Sequence, residues 1–536
     1  MNTRSIILCL CLSTCLTTAN KGFAYDIEQN GLYYNITDGE SLTLELTTGD
    51  APYSFNSLSV PMSVNYDGKI YIVSSIGNDV FSHCRNLTSV KLPQSILYIG
   101  DGAFFGCEEL SDIAFPDHLM TIGRWAFASC KSLKSIIIPQ YTQTIGAQAF
   151  ANCTNLVSAD IKSKTDLLPE GLFLNCKNLQ KAILPNIATI GKGAFEKCTA
   201  LTDINLPPTL TAISASAFSS CTALNYVYLP SSLNIIGREA FWGCTALKTV
   251  YVPSSVSSVG FAAFADCTAL TRADLPAGIT HVGNWCFNRC SKLEEAPIPD
   301  MSTLPAAMFN KCVSLKTIVI PDGVRRLGYA VFADCTTASS ISYGNSLKAI
   351  GDEAFYNCDA VTKTEIPESV DSIGRDAYEN CSGLKFLSIP SKLNIIALNA
   401  FRDCLALTDI YSFMPQPCSL PGLGFADVTF GRAVLHVPTG KTAVYRATKS
   451  WNKFRTIKEF EPSAMHSSSV SEVKITGSNR TLYVKNAPIG KDVTIHNIIG
   501  QPVQKCISTG NNIVFHLNNS GAYIVKTCEI MTKVML

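Results

Sequence analysis

Charge is scarce in this chain, and what there is has no bias. Only 16% of the 536 residues are Asp, Glu, Lys or Arg, where about 25% is usual. The 43 basic residues nearly cancel the 42 acidic ones and leave a net charge of +1. That balance gives no electrostatic footprint for nucleic acid or an anionic membrane. Long apolar runs are missing too: Ile6 to Leu12 is too short to span a bilayer, and no other segment is long and apolar enough. Histidine is sparse, and its seven residues (His83, His118, His281, His436, His466, His496 and His516) fall in no H-E-x-x-H or paired spacing. There is no G-x-S-x-G, no P-loop and no dinucleotide fingerprint. Glu294 and Glu295 are adjacent, which is not the converging carboxylate pair a glycosidase needs. C-x-x-C is absent, and tetrahedral zinc needs four ligands converging on one point. No catalytic, cofactor-binding or metal-binding residue is assigned, and the chain reads as non-enzymatic.

Cysteine, by contrast, is abundant, with 22 residues. Fifteen of them stand in a column: 84, 107, 130, 153, 176, 198, 221, 244, 267, 290, 312, 335, 358, 381 and 404. The gaps are 23 residues, except for two of 22 (176 to 198 and 290 to 312). Each cysteine belongs to a repeated phrase whose fullest form, A-F-x-x-C-x-x-L-x-x-I-x-L-P, is seen from Ala240 to Pro253. Self-similarity at such a period is the mark of a solenoid, and L-x-x-I-x-L falls within the leucine-rich pattern.

One rung can be assigned position by position. After Cys221, Leu224, Val227 and Leu229 follow at +3, +6 and +8. The last two share a face of a short strand, because side chains alternate with period two, and Pro230 ends it. A second apolar pair, Leu233 and Ile236, precedes Gly237. That glycine, like Gly100, Gly123, Gly146 and Gly260, is expected in a turn with positive φ. The Ala-Phe step after it is expected to form one turn of helix that buries Ala240, Phe241 and Cys244. No rung can bury these residues alone, so stacking is compulsory. The column cysteines read as small buried thiols, reduced and unreactive. Cys286, in the slot usually held by Ala, is a core substitution; Cys286, Cys418, Cys506 and Cys528 lie off the column without evident mates.

In chain order, 1–24 reads as a signal peptide: Arg4, the apolar run, then Gly22-Phe23-Ala24 before Tyr25. Leu12-Ser13-Thr14-Cys15 also allows a lipobox, with Thr a poor residue before the cysteine. Residues 25–71 lack the period and read as an N-terminal β cap, 72–411 as the solenoid, and 412–460 as the C-terminal cap. A polar linker at 461–472 leads to 473–536, whose alternating strands pattern as a small β-sandwich. Outward strand positions, at +5 and +7 from each cysteine, carry no core duty. There Tyr226, Tyr228 and Tyr251 make the candidate ligand patch, since aromatics recur at interfaces and sugar sites.

The repeated phrase, preceded by Ile-Gly, resembles the BspA-like leucine-rich repeat family of bacterial surface proteins over roughly 70–411. Tyr33-Tyr34-Asn35-Ile36 and Val437-Pro438…Trp451…Phe454 look like that family's ends. The resemblance implies an α/β-type leucine-rich repeat solenoid of about 15 rungs, used for adhesion to host matrix proteins, other cells or polymers. The alternative it leaves is a surface glycan-binding protein for polysaccharide capture. The last module looks like the type A sorting tail of type IX secretion: Val493 to Val503, then Gly521-Ala522-Tyr523-Ile524-Val525-Lys526 and the terminal Lys533-Val534-Met535-Leu536. Ala522 departs from it, where a β-branched residue is usual. The resemblance implies export to the surface of a Gram-negative cell, with an extracellular protein or glycan as partner and secretion machinery engaged by the tail.

Overall fold

The computed structural model describes residues 25–49, 51–421 and 424–462, and in the last module 474–478, 481–485, 492–497, 501–507, 513–517, 521–526 and 531–535. The expected signal peptide and its alternative lipobox, nearly all of the linker and Cys528 lie outside the described residues. Two compact units divide between Ile204 and Asn205.

The first unit opens with an antiparallel meander of Ile27–Gln29, Leu32–Asp38 and Thr43–Thr47. Thr43–Thr47 then pairs in parallel with Lys69–Ile76, which also takes Ser63–Tyr66 antiparallel. From Lys69–Ile76 a parallel ladder continues through Tyr98–Ile99, Thr121–Ile122 and Thr144–Ile145. Parallel strands follow the other side of each rung: Ser57–Ser59, Ser89–Lys91 and Asp112–Ala114, then Ser135–Ile138, Ser158–Ile161, Lys181–Ile183 and Asp203–Ile204. Partners occupy the same place in successive rungs, as with Ile137, Asp160 and Ile183. The second apolar pair of the rung is therefore a strand of its own.

The second unit repeats this plan. Ala212–Ile213, Ile235–Ile236, Ser258–Val259 and His281–Val282 form one run of two-residue strands, and Thr303–Leu304 to Ile395–Ile396 another. Opposite them, Thr249–Tyr251 pairs with Arg272–Asp274 and Thr317–Val319 with Ser340–Ser342. Lys363–Glu365, Phe386–Ile389 and Asp409–Ser412 lead into Val434–Pro438 and Thr456–Phe460 in one five-stranded parallel sheet. Among the described residues through 460, helix is confined to Asp427–Arg432, Thr442–Ala447 and the short Trp451–Lys453. The last module has antiparallel sheets of three and four strands, which share an apolar cluster that includes Leu482, Val493, Phe515 and Val525.

Two expectations for the rung are corrected. The Ala-Phe step is not helical. Glu239 and Gly243 are left-handed there, at φ 54° and 69°, which a right-handed helix does not admit. Its N–H groups alternate instead. Those of Glu239, Phe241 and Gly243 donate to the carbonyls of Phe261, Ala263 and Ala265 in the next rung at 2.8, 2.8 and 2.9 Å. Those of Ala240, Trp242 and Cys244 donate three residues back, to Gly237, Glu239 and Phe241 at 3.3, 3.1 and 3.2 Å. A helix would spend every bond within the segment; here half of them fasten one rung to the next. The turn is a third parallel ladder.

The glycine before this step has no positive φ either; Gly100, Gly123, Gly146, Gly237 and Gly260 are absent from the left-handed set. Their role is steric. A Cβ on Gly237 would lie 2.7 Å from Ala215 N and from Ser214 C, so the column marks where successive backbones touch.

Inside, the phrase builds two columns. Rings stack at 5.0–6.1 Å from Tyr53 through Phe81, Phe104, Phe127, Phe150 and Phe173 to Phe195 in the first unit. In the second they run at 5.1–5.7 Å from Phe218 to Phe401 and on to Phe425, beyond the last repeat. Tyr53 and Phe425 therefore fill the Phe slot where the phrase itself is missing. Beside the rings stand the cysteines. Cys244 Sγ donates to the Phe218 carbonyl at 3.2 Å and Cys107 Sγ to that of Phe81 at 3.1 Å. The turn carbonyl thus receives an amide from its own rung and a thiol from the next. Alanine is small enough for the site but has no donor.

Candidate functional site

Burial disfavours the thiolate at several of the column cysteines. It pushes the thiols of Cys107 and Cys244 up to about 12 and raises Cys286, which is fully buried in its Ala slot. A protonated thiol is a poor nucleophile. The 17 described cysteines whose side chains are placed carry no disulfide. Among the described residues no group of three or more His, Cys, Asp or Glu converges on a metal-sized space. No helix among them is long and apolar enough to cross a membrane.

What the rungs offer is surface. Tyr226, Tyr228 and Tyr251 are 51%, 65% and 51% exposed, while Val227 and Leu229 between and beside them are buried. The expected in-and-out alternation therefore holds at 226–229, although this segment lies outside the strands of the ladder, which resume at Thr249–Tyr251. No ring contact joins the three tyrosines. Tyr251 instead has the Arg272 guanidinium 5.9 Å from its ring and Asp274 opposite it in register. Arg272 in turn pairs with Asp274 at 3.6 Å. An exposed aromatic flanked by both charges offers apolar area, donors and acceptors together.

Sequence reasoning missed other aromatic groups. Near the end of the parallel sheet, Phe386, Tyr411 and His436 line up across three strands, with the Tyr411 and His436 rings stacked 4.0 Å apart and nearly parallel. Asp409 Oδ1 holds His436 Nε2 at 3.2 Å, and Phe460 meets Tyr411 edge-on. This group is packed and self-satisfied. The turns also expose tryptophans in each unit, Trp125 in the first and Trp242 and Trp285 in the second, at 42%, 38% and 43%. Each stands two or five residues before a column cysteine, a spacing visible in the sequence but easily taken for variable turn residues.

The repeats can now be compared with known proteins. Residues 74–202, 188–312 and 302–414 match the BspA type leucine rich repeat region, more than half of the chain. The chain belongs to that family. A leucine-rich repeat protein from Bacteroides ovatus is 26% identical to this BspA-type chain, over 72% of this chain and 94% of that one, with a TM-score of 0.57. A leucine rich cell surface protein from Faecalibacterium prausnitzii is 22% identical over 72% and 94%, with a TM-score of 0.37. The pneumococcal vaccine antigen PcpA is 17% identical over 83% and 100%, with a TM-score of 0.28. Among curated proteins none matches. The BspA-type repeat is a binding architecture rather than a catalytic one, and the β-solenoid described above has the stacked parallel coils of such a repeat.

Proposed function

We propose that this BspA-type chain is a non-enzymatic cell-surface protein that holds an extracellular protein partner on its outward strand face, centred on Tyr226, Tyr228 and Tyr251. The observation that carries this reading is the exposure of three tyrosines at positions that bear no core load. Tyrosine offers large, stiff, amphipathic contact area at low entropic cost, which is why it recurs at recognition surfaces. Replacing all three by Ser is expected to leave the melting temperature nearly unchanged. The same change should weaken attachment to purified matrix proteins by about tenfold, or about 1.4 kcal/mol. Unaltered attachment with unaltered stability would remove the patch from consideration. The tail reading belongs to the same proposal: residues 473–536 would direct the chain across the outer membrane. Its support is the resemblance of Val493 to Val503 and Gly521 to Lys526 to a sorting tail. A chain lacking 473–536 should stay inside intact cells, protected from added protease.

A further inference from the structure

In the first unit the turn side is not flat. A cavity of about 370 Å³ opens there, and its origin is legible rung by rung. Five residues before the column cysteines stand Gly102 and Trp125 in successive rungs; two residues before them stand Phe105, Ala128 and Ala151. The small residues Gly102, Ala128 and Ala151 leave space, and Phe105 and Trp125 wall it.

Trp125 is the bulkiest occupant of its slot in these rungs. Its backbone is left-handed at φ 53°, as the same slot is at Asp79, Gly102 and Gln148, at 54°, 60° and 57°. A bulky side chain there is an outlier with a conformational cost, and with the ring 42% exposed, burial does not offset it. The ring is nonetheless fixed. Its Nε1 donates to Gln148 Oε1 at 3.1 Å, and the Arg124 guanidinium lies over it at 5.0 Å. The rest of the lining is one carboxylate, Asp79, and two carboxamides, Gln148 and Asn152.

We propose that this cleft binds a neutral sugar, one or two residues long, with its C–H face against Trp125 and its hydroxyls on Asp79, Gln148 and Asn152. The volume falls in the range of small-ligand sites, and a mostly apolar wall with a few placed polar groups is their usual make-up. A carboxylate beside aromatic rings also suits a quaternary ammonium ion. Arg124 decides against that, since its guanidinium already holds the cation–π contact on Trp125. The proposal stands apart from the tyrosine face, which lies in the other unit.

The test is saturation-transfer NMR on the full chain with maltose and cellobiose as neutral probes and choline as the cation probe. Transfer to the ring C–H protons of at least one disaccharide is expected, with none to choline. Trp125→Asn should weaken that binding by about tenfold or more, and it should not lower the melting temperature, because Asn tolerates left-handed backbone. Gln148→Ala, which releases the indole and removes one carboxamide, should weaken it to a smaller degree and serves if the first variant fails to fold. The triple Ser variant of the tyrosine face should bind the sugar as the parent does. The proposal is overturned if neither disaccharide receives transfer, if choline does, or if the signal survives both cleft variants. Loss of the signal in the tyrosine variant alone would overturn it as well.

Discussion

At the scale of single residues, Phe241 and its neighbour Trp242 separate core from surface. Phe241 is fully buried between Phe218 and Phe264, so Phe241→Ala should cost about 3–5 kcal/mol. Trp242→Ala, which loses an exposed ring and one bond from Nε1 to Asp266 at 3.0 Å, should cost clearly less. Urea denaturation of the two variants gives the order, and a reversal would undo the assignment of inward positions. Glu379 supplies a dependence on pH. Burial first, and then the neighbouring Asp376, raise its carboxyl from 4.5 to about 7. An acid raised in the folded state holds its proton longer there than in the unfolded chain. Its contribution is therefore complete below the unfolded value and is lost as pH rises through that window. Glu379→Gln should accordingly raise the melting temperature more at pH 8 than at pH 5. An equal change at both would mean that Arg402, 3.5 Å away, already compensates the charge.

Among the elements, one place in the apolar stack is polar. Tyr378 takes the Phe slot, Thr364 the +6 slot and Tyr343 the +8 slot of adjoining rungs. The Tyr343 hydroxyl meets both Tyr378 at 2.6 Å and Thr364 at 2.7 Å. Tyr343→Phe leaves two buried hydroxyls without it and should cost about 1–3 kcal/mol. Adding Thr364→Val and Tyr378→Phe should recover most of that loss, because removing every partner leaves nothing unsatisfied. Denaturation of the single and triple variants tests this, and independent additive losses would refute the coupling. The three departures are visible in the sequence, yet only the fold shows that they meet. The same limit explains the rest. Inward positions were legible because burial repeats with the rung, as Leu224, Val227 and Leu229 show. The Ala-Phe turn was not, since its geometry depends on bonds to a neighbouring rung that no local pattern encodes. Gly237 was misread for the same reason: its Cβ is forbidden by Ala215 and Ser214, which belong to the rung before. The Trp125 cleft needed small and large residues from several rungs to be seen side by side.

For the molecule as a whole, the decisive quantity is register. Deleting one rung of the second unit, Cys221 to Gly243, should leave a folded and shorter chain, because each rung answers only to its neighbours. Deleting about half that length should turn core positions outward and unfold the stack. Circular dichroism and thermal melting separate the two cases, and equal behaviour would contradict the repeat as the unit of folding. The turn ladder carries this further. Within each unit, Ala-Phe steps such as 239–243 and 262–266 offer the same donors to the rung after them and the same acceptors to the rung before. In the turn ladder a rung consequently holds no record of its own address, unlike the rungs joined through Tyr343, Thr364 and Tyr378. Duplication of a repeat-length stretch of gene elsewhere would insert a coil whose turn bonds its new neighbours can complete. The number of rungs then becomes a trait that copying errors can raise or lower, with the chemistry on each rung inherited intact.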